Sequence, residues 1–229
     1  MPLELAKGLF PAANDPTQAT ADMLVAESNH RIANSLQLVA GLVRRNAKRI
    51  LERHLSAAEI PIFLQELATR VETIARLHRA LSEDHATMVA LGSYLRDIMT
   101  SVVDALAWET KIQFSHQCDD TIRVAPSHAL SLGLIVNEMV TNTVKYAHPA
   151  AITGKIDLKC YRSTTRKLVV KVIDDGVGLP ETFDAMTDGG TGMQLIRLLA
   201  TQLGAQLQFD SSPLGLTTTV IIDEAPRAL

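Results

Sequence analysis

Between Thr17 and Leu55 the chain runs without a proline and with a single glycine, Gly41. Within that stretch Val25, Asn29, Ile32, Leu36, Val39, Val43, Asn46 and Ile50 recur at alternating four- and three-residue steps. This is the stripe of a long helix lying lengthwise against another helix. Leu38 and Leu42 widen the stripe, which suits a bundle better than a two-stranded coiled coil. "SAAEI" then offers a capping box, Ser56 with Glu59, with Pro61 in the following turn. A second stripe follows at Leu64, Leu67, Val71, Ile74, His78 and Leu81. The two stripes predict a helical hairpin over residues 17–85. A hairpin buries little surface alone, so two of them are expected to pair as a homodimeric four-helix bundle.

The pattern changes from about Ala86. "LGSYLRDIMTSVVDALA" and "SHALSLGLIVNEMVTNTVKYA" have helical spacing, and Pro126 stands just before the second. "KIQFSHQ" alternates like a half-buried strand, and "GKIDLKCYR" and "KLVVKVIDD" are strands joined by the turn "STTR". "GMQLIRLLATQLG" is a helix ending at Gly204, with closing strands "AQLQFDSS" and "LTTTVIID". Residues 86–229 are therefore expected to form an α+β layer of helices on a sheet. The boundary falls near "SEDHATM", residues 82–88.

Global properties exclude several classes. A net charge of −3 gives no electrostatic reason to expect nucleic acid. The two cysteines, Cys118 and Cys160, lie far apart and have no metal-ligand spacing. The N-terminal "MPLELAKGLFPAANDP" lacks the apolar core of a signal peptide, and no run approaches the ~20 apolar residues of a membrane span. A cytoplasmic protein without membrane contact is expected.

Chemistry concentrates in "NHRIAN", "NEMVTNTVKY", "DDGVGLP" and "GGTGMQL". Helical spacing puts Glu138, Asn142 and Lys145 on one face, where a carboxylate, an amide and a lysine can hold Mg²⁺ and neutralise phosphate. Asp174 ends an apolar strand just before Gly176 and Gly178. A carboxylate fixed there can accept a hydrogen bond from an exocyclic amine such as adenine's, and glycines let the backbone approach a flat ring. "GGTG" leads straight into a helix, whose free N–H groups and positive pole suit phosphates. No GxxxxGK[ST] occurs, which closes the P-loop route to ATP.

Taken in order, these segments resemble the two-component sensor histidine kinases, whose ATP domain has the Bergerat fold. "NEMVTNTVKY" resembles the N box, "DDGVGLP" and "GGTGMQL" the two glycine boxes, and "ESNHRIANSLQL" the phosphoacceptor helix of the HWE-like subgroup with His-Arg and a downstream Asn. The resemblance spans residues 20 to 223. It implies that His30 is the phosphoacceptor, Asn142 a Mg²⁺ ligand and Glu138 a base or orienting acid. It further implies that Lys145 contacts phosphate, Asp174 binds the adenine amine, and Gly176, Gly178, Gly190 and Gly192 shape an ATP pocket.

Asn29 falls on the apolar stripe, which turns His30 to its flank, with Glu27 and Asn34 one turn before and after on the same face. Glu27 is then a candidate proton acceptor, and Asn34 a candidate for orienting a hydrolytic water. Many family members carry an acid directly after the phosphoacceptor, where this chain has Arg31. The segment "LPETFDAMTDG" between the glycine boxes is short, giving a small lid. The implied partners are a response-regulator receiver domain, which would take the phosphoryl group on an aspartate, and a sensor supplied by another protein or a missing domain. Two other functions compete. A histidine phosphotransfer adaptor whose kinase-like domain no longer uses ATP has no physical need for Asn142, Asp174 and the glycine boxes. An ATPase or anti-sigma-type serine kinase leaves His30 and the hairpin unexplained.

Overall fold

The computed structural model describes residues 88–106, 112–148 and 153–223, with scattered helical positions between 40 and 75. Glu27, His30, Asn34, the Ser56–Glu59 capping box, His78 and Trp108 lie outside the described residues. Positions such as Ala40, Val43, Arg44, Leu64, Val71 and Ile74 are helical. Val43 and Leu64, one on each apolar stripe, are 45% and 50% exposed in the single chain.

From Val89 onward the chain reads β1 (Val89–Ala90), α1 (Leu91–Leu106), β2 (Ile112–Cys118), β3 (Arg123–Val124) and α2 (Pro126–Asn142). A π-helical turn (Thr143–Ala147) extends α2 before β4 (Gly154–Arg162) and β5 (Lys167–Asp174). Then come α3 (Thr191–Gln202), β6 (Gln206–Ser212) and β7 (Gly215–Asp223). Strands β2-β4-β5-β7-β6 form one sheet, and β1 pairs with β3 apart from it. All neighbours in the large sheet are antiparallel except β2 and β4, which run parallel because α2 carries the chain between them.

Local chemistry sets the boundaries. Pro126 stands in the first turn of α2, where its fixed φ suits the helix and its missing N–H needs no partner. Gly204 takes a φ of 61° just past α3, which lets the Ala205 N–H reach back to the Ala200 carbonyl at 2.8 Å. Helix α2 is apolar nearly all round and packs between α1 and α3. Strand alternation turns Ile156, Leu158 and Cys160 of β4 and Leu168, Val170 and Val172 of β5 toward the helices, while Lys155, Lys159, Lys167 and Lys171 take the opposite positions. One apolar core results between sheet and helices, and Ile74 of the N-terminal region belongs to it at 2% exposure.

Candidate nucleotide-binding site

The same alternation that buries Leu168, Val170 and Val172 carries Asp174 onto the helix side of the sheet at the last position of β5. A carboxylate left there at 7% exposure needs partners. One oxygen accepts the Gly176 N–H at 3.0 Å and the Leu216 N–H at 3.2 Å, and the other accepts the Thr143 hydroxyl at 3.2 Å. Three donors leave the carboxylate oxygens with acceptor capacity to spare, and Asp174 lines a cavity.

The loop after Asp174 is held by close backbone contacts. The Val177 N–H donates to the Ala147 carbonyl at 3.0 Å. A Cβ on Gly176 would stand 2.4 Å from that of Ala147, so glycine is required for the loop to meet the end of the π turn. At Gly215, φ is 134° and a Cβ would lie 1.9 Å from the Asp174 carbonyl oxygen. A second lock ties the loop to the far end of the N-box helix. The Asp175 carboxylate accepts the Lys155 N–H at 2.8 Å and stands 2.8 Å from Nε2 of His148, whose side chain is buried against Gly154. Burial pushes the Asp175 carboxyl up, but the hydrogen bonds from Lys155 and His148 outweigh it and hold the group below its ordinary value.

Across the cavity, α3 begins at Gly190 and Thr191, and both line the same space, which sets the helix's positive pole beside it. A Cβ on Gly190 would meet nothing within 4 Å, so the space in front of it is open. Asn142 ends α2 and donates its amide N–H to the Met193 sulfur at 3.7 Å, which leaves the amide oxygen for a ligand. The short segment from Pro180 to Gly189 is strapped down by Arg197, whose guanidinium donates to the carbonyls of Ala185 at 2.8 Å and Asp188 at 2.7 Å.

These elements enclose a cavity of about 440 Å³, the size range of small-ligand sites. Asn142, Lys145, Asp174, Gly178, Gly190 and Gly192 line it. Gly176 is not in the lining and serves instead in the loop–helix contact. Glu138 is also outside the lining, buried within α2 at 3% exposure. Glu138 stands one turn before Asn142 in the regular part of α2, which the cavity does not reach, while the π turn that begins at Thr143 carries Lys145 to the lining. Among the described residues no cluster of three His, Cys, Asp or Glu side chains could hold a metal by itself. A hard amide oxygen completed by phosphate oxygens is nonetheless a donor set that suits Mg²⁺.

The sequence reading did not single out Thr143, Met193, Arg197 or the His148–Asp175 pair. Of these, Thr143, Asp175 and Met193 stand inside "NEMVTNTVKY", "DDGVGLP" and "GGTGMQL", while His148 and Arg197 lie outside every motif.

Two family profiles match the chain. One, described as "Histidine kinase", matches residues 27–106. The other, described as "Histidine kinase-, DNA gyrase B-, and HSP90-like ATPase", matches residues 127–228. The chain is a histidine kinase family member. It is 32% identical over 81% of its length to the sensor histidine kinase PdtaS of Mycobacterium tuberculosis, of which it spans 36%. It is 28% identical over 94% of its length to the blue-light-activated histidine kinase 2 of Erythrobacter litoralis, of which it spans 64%. The solved histidine kinase domain of the E. litoralis EL346 protein matches 90% of this chain and 94% of its own, with a TM-score of 0.66 at 27% identity. The sheet and its helices thus have the α+β ATPase fold of the histidine kinase catalytic domain. Among the described residues no helix is long and apolar enough to cross a membrane.

Proposed function

We propose that this histidine kinase domain binds ATP in the cavity beside Asp174 and transfers the γ-phosphoryl group to His30, from which it passes to an aspartate of a response-regulator receiver domain. The observation that carries this reading is the single cavity of about 440 Å³ lined together by Asp174, Asn142, Lys145 and the N-terminal turn of α3. Asp174 accepts the adenine amine, while Lys145, Gly190 and Gly192 face the phosphates. Asn142 offers the oxygen for Mg²⁺, which offsets charge on the transferring group when bound. Gly178 shapes the wall, and Gly176 lets the loop close against Ala147.

The His30 imidazole attacks the γ-phosphorus with one nitrogen while the other gives up its proton, for which Glu27 is the acceptor. Glu138 acts from within α2 as an orienting acid, and Asn34 orients water for dephosphorylation of the partner. The hairpin of residues 17–85 dimerises as a four-helix bundle, to which the exposed Val43 and Leu64 on its apolar stripes lend support. Because ATP is the donor, the reaction belongs to the cytoplasm.

Incubation with γ-labelled ATP and Mg²⁺ tests the reading. Acid-labile, alkali-stable label on the protein, lost in His30→Ala, is the expected result. Released phosphate without protein label would make the domain an ATPase. Absence of nucleotide chemistry, with phosphate accepted from a phosphorylated partner, would make it a phosphotransfer adaptor.

A further inference from the structure

The chain's two cysteines are 42 residues apart in sequence yet stand side by side in the sheet. Cys118, the last residue of β2, is the direct partner of Cys160 in the parallel ladder with β4. The next rung closes with the Asp119 N–H on the Cys160 carbonyl at 2.8 Å. Opposed residues of neighbouring strands share one face, and the ~4.8 Å strand spacing lies within the Cα separation that a disulfide spans. The two thiols are close enough that each displaces the other's titration. Cys160 is fully buried and Cys118 half-buried, and neither lines the nucleotide cavity.

The two environments differ. Gly92, in the first turn of α1, has no side chain to hold the helix off, and a Cβ there would come 2.9 Å from an Asp120 carboxylate oxygen and 3.1 Å from the Cβ of Cys118. Cys118 therefore sits by the positive pole of α1. Arg96, one turn on, adds a positive charge that its ion-pair partner Asp120, at 3.2 Å, partly offsets. The Cys160 hydrogen bond holds the Cys118 thiol below its ordinary value against the cost of burial, and Arg96 helps. The same hydrogen bond and burial push Cys160 up. The half-buried thiol near Arg96 is thus the nucleophile and its fully buried neighbour the resolving partner.

We propose that Cys118 and Cys160 form a peroxide-responsive pair, in which Cys118 is oxidised first and Cys160 closes a disulfide between β2 and β4. The Cys118 thiolate attacks one oxygen of hydrogen peroxide. An S–O bond forms, the O–O bond breaks, and the departing hydroxide takes up a proton to become water. The sulfur loses two electrons and the peroxide gains them. Cys160 then attacks the sulfenic sulfur, the S–S bond forms as the S–O bond breaks, and the hydroxide leaves as water with the Cys160 proton. Two thiols and one peroxide become one disulfide and two waters. The bridge staples the edge strand β2 to its neighbour.

The reduced full chain is treated with hydrogen peroxide, and its intact mass is read under denaturing, non-reducing conditions. A monomer lighter by about 2 Da, restored by dithiothreitol, is expected, since loss of two hydrogens is the signature of one internal disulfide. In Cys160→Ser, and in Cys160→Ala should serine disturb the core, Cys118 should instead be trapped by dimedone as the sulfenic acid. Iodoacetamide should label Cys118 about tenfold faster than Cys160 in the folded chain. The proposal is overturned by a disulfide between two chains, by Cys118 advancing to the sulfinic acid without a link to Cys160, or by both thiols surviving peroxide that oxidises free cysteine.

Discussion

Asp174 faces the cavity while its oxygens hold three donors from three different segments, so its chemistry and its structural duty must be separated by choice of substitution. Asp174→Asn keeps the shape and one oxygen for the Gly176 and Leu216 N–H groups. It places an NH2 or a weaker neutral acceptor before an adenine amine. Loss of a charged hydrogen bond costs about 1.5–3 kcal/mol, so nucleotide affinity should fall by about tenfold to a hundredfold in calorimetry. Unchanged affinity would remove Asp174 from the adenine site. A different test applies to Asp175, whose carboxyl is held below its ordinary 3.8. A depressed folded value means that the unfolded chain takes up the proton first, so the stability from this group is present above about pH 4 and is lost as pH falls through the folded value. Thermal melts from pH 5 to pH 3 should therefore fall more steeply in the parent than in Asp175→Asn; parallel curves would dissociate the His148–Asp175 contact from stability. At this scale Asp174 and the glycines were legible because motif spacing carries them. Thr143 and His148 were not, since their partners lie 31 and 27 residues away.

At the scale of elements, alternation and 3.6-residue periodicity gave each long strand and helix from residue 88 to 223. They failed where structure departs from a period. The two-residue strands β1 and β3 are too short to have one, and the π turn after Asn142 is a local widening that regular spacing cannot anticipate. The start of α3 offers a test that folding does not confound. Gly190 has an ordinary φ of −76°, and an added methyl would touch no protein atom within 4 Å. Gly190→Ala should leave the melting temperature within a few degrees, since alanine is a poorer cap than glycine by about 1 kcal/mol or less. If phosphates occupy the space, the same methyl should weaken ATP about tenfold; equal affinity would place the phosphates elsewhere. Arg197 acts on the adjoining lid. Arg197→Ala frees the carbonyls of Ala185 and Asp188, and nucleotide should dissociate several-fold faster in stopped-flow displacement. An unchanged off-rate would show that the lid does not gate the cavity.

For the molecule as a whole, strand pairing order was the least legible feature, because a sequence period reports which face of a strand is buried and not which strand lies beside it. The parallel β2–β4 pair across α2 has consequences for energetics as well as for topology. Met139, Val172 and Ile196 belong to the central core and also line the cavity, so the floor of the ligand site is the core itself. A ligand that binds there recognises only the folded domain, and its binding free energy should therefore be felt in global unfolding rather than in a local loop. At a nucleotide concentration one hundred times Kd, that linkage adds about 2.7 kcal/mol. For a domain of this size each kcal/mol moves the melting temperature by about 2–4 °C, so ATP with Mg²⁺ should raise it by about 5–10 °C. Asp174→Ala, matched for nucleotide concentration, should lose that shift. A parent chain whose melting temperature ignores saturating nucleotide would separate the core from the cavity it floors, and with it the reading of that cavity as the ATP site.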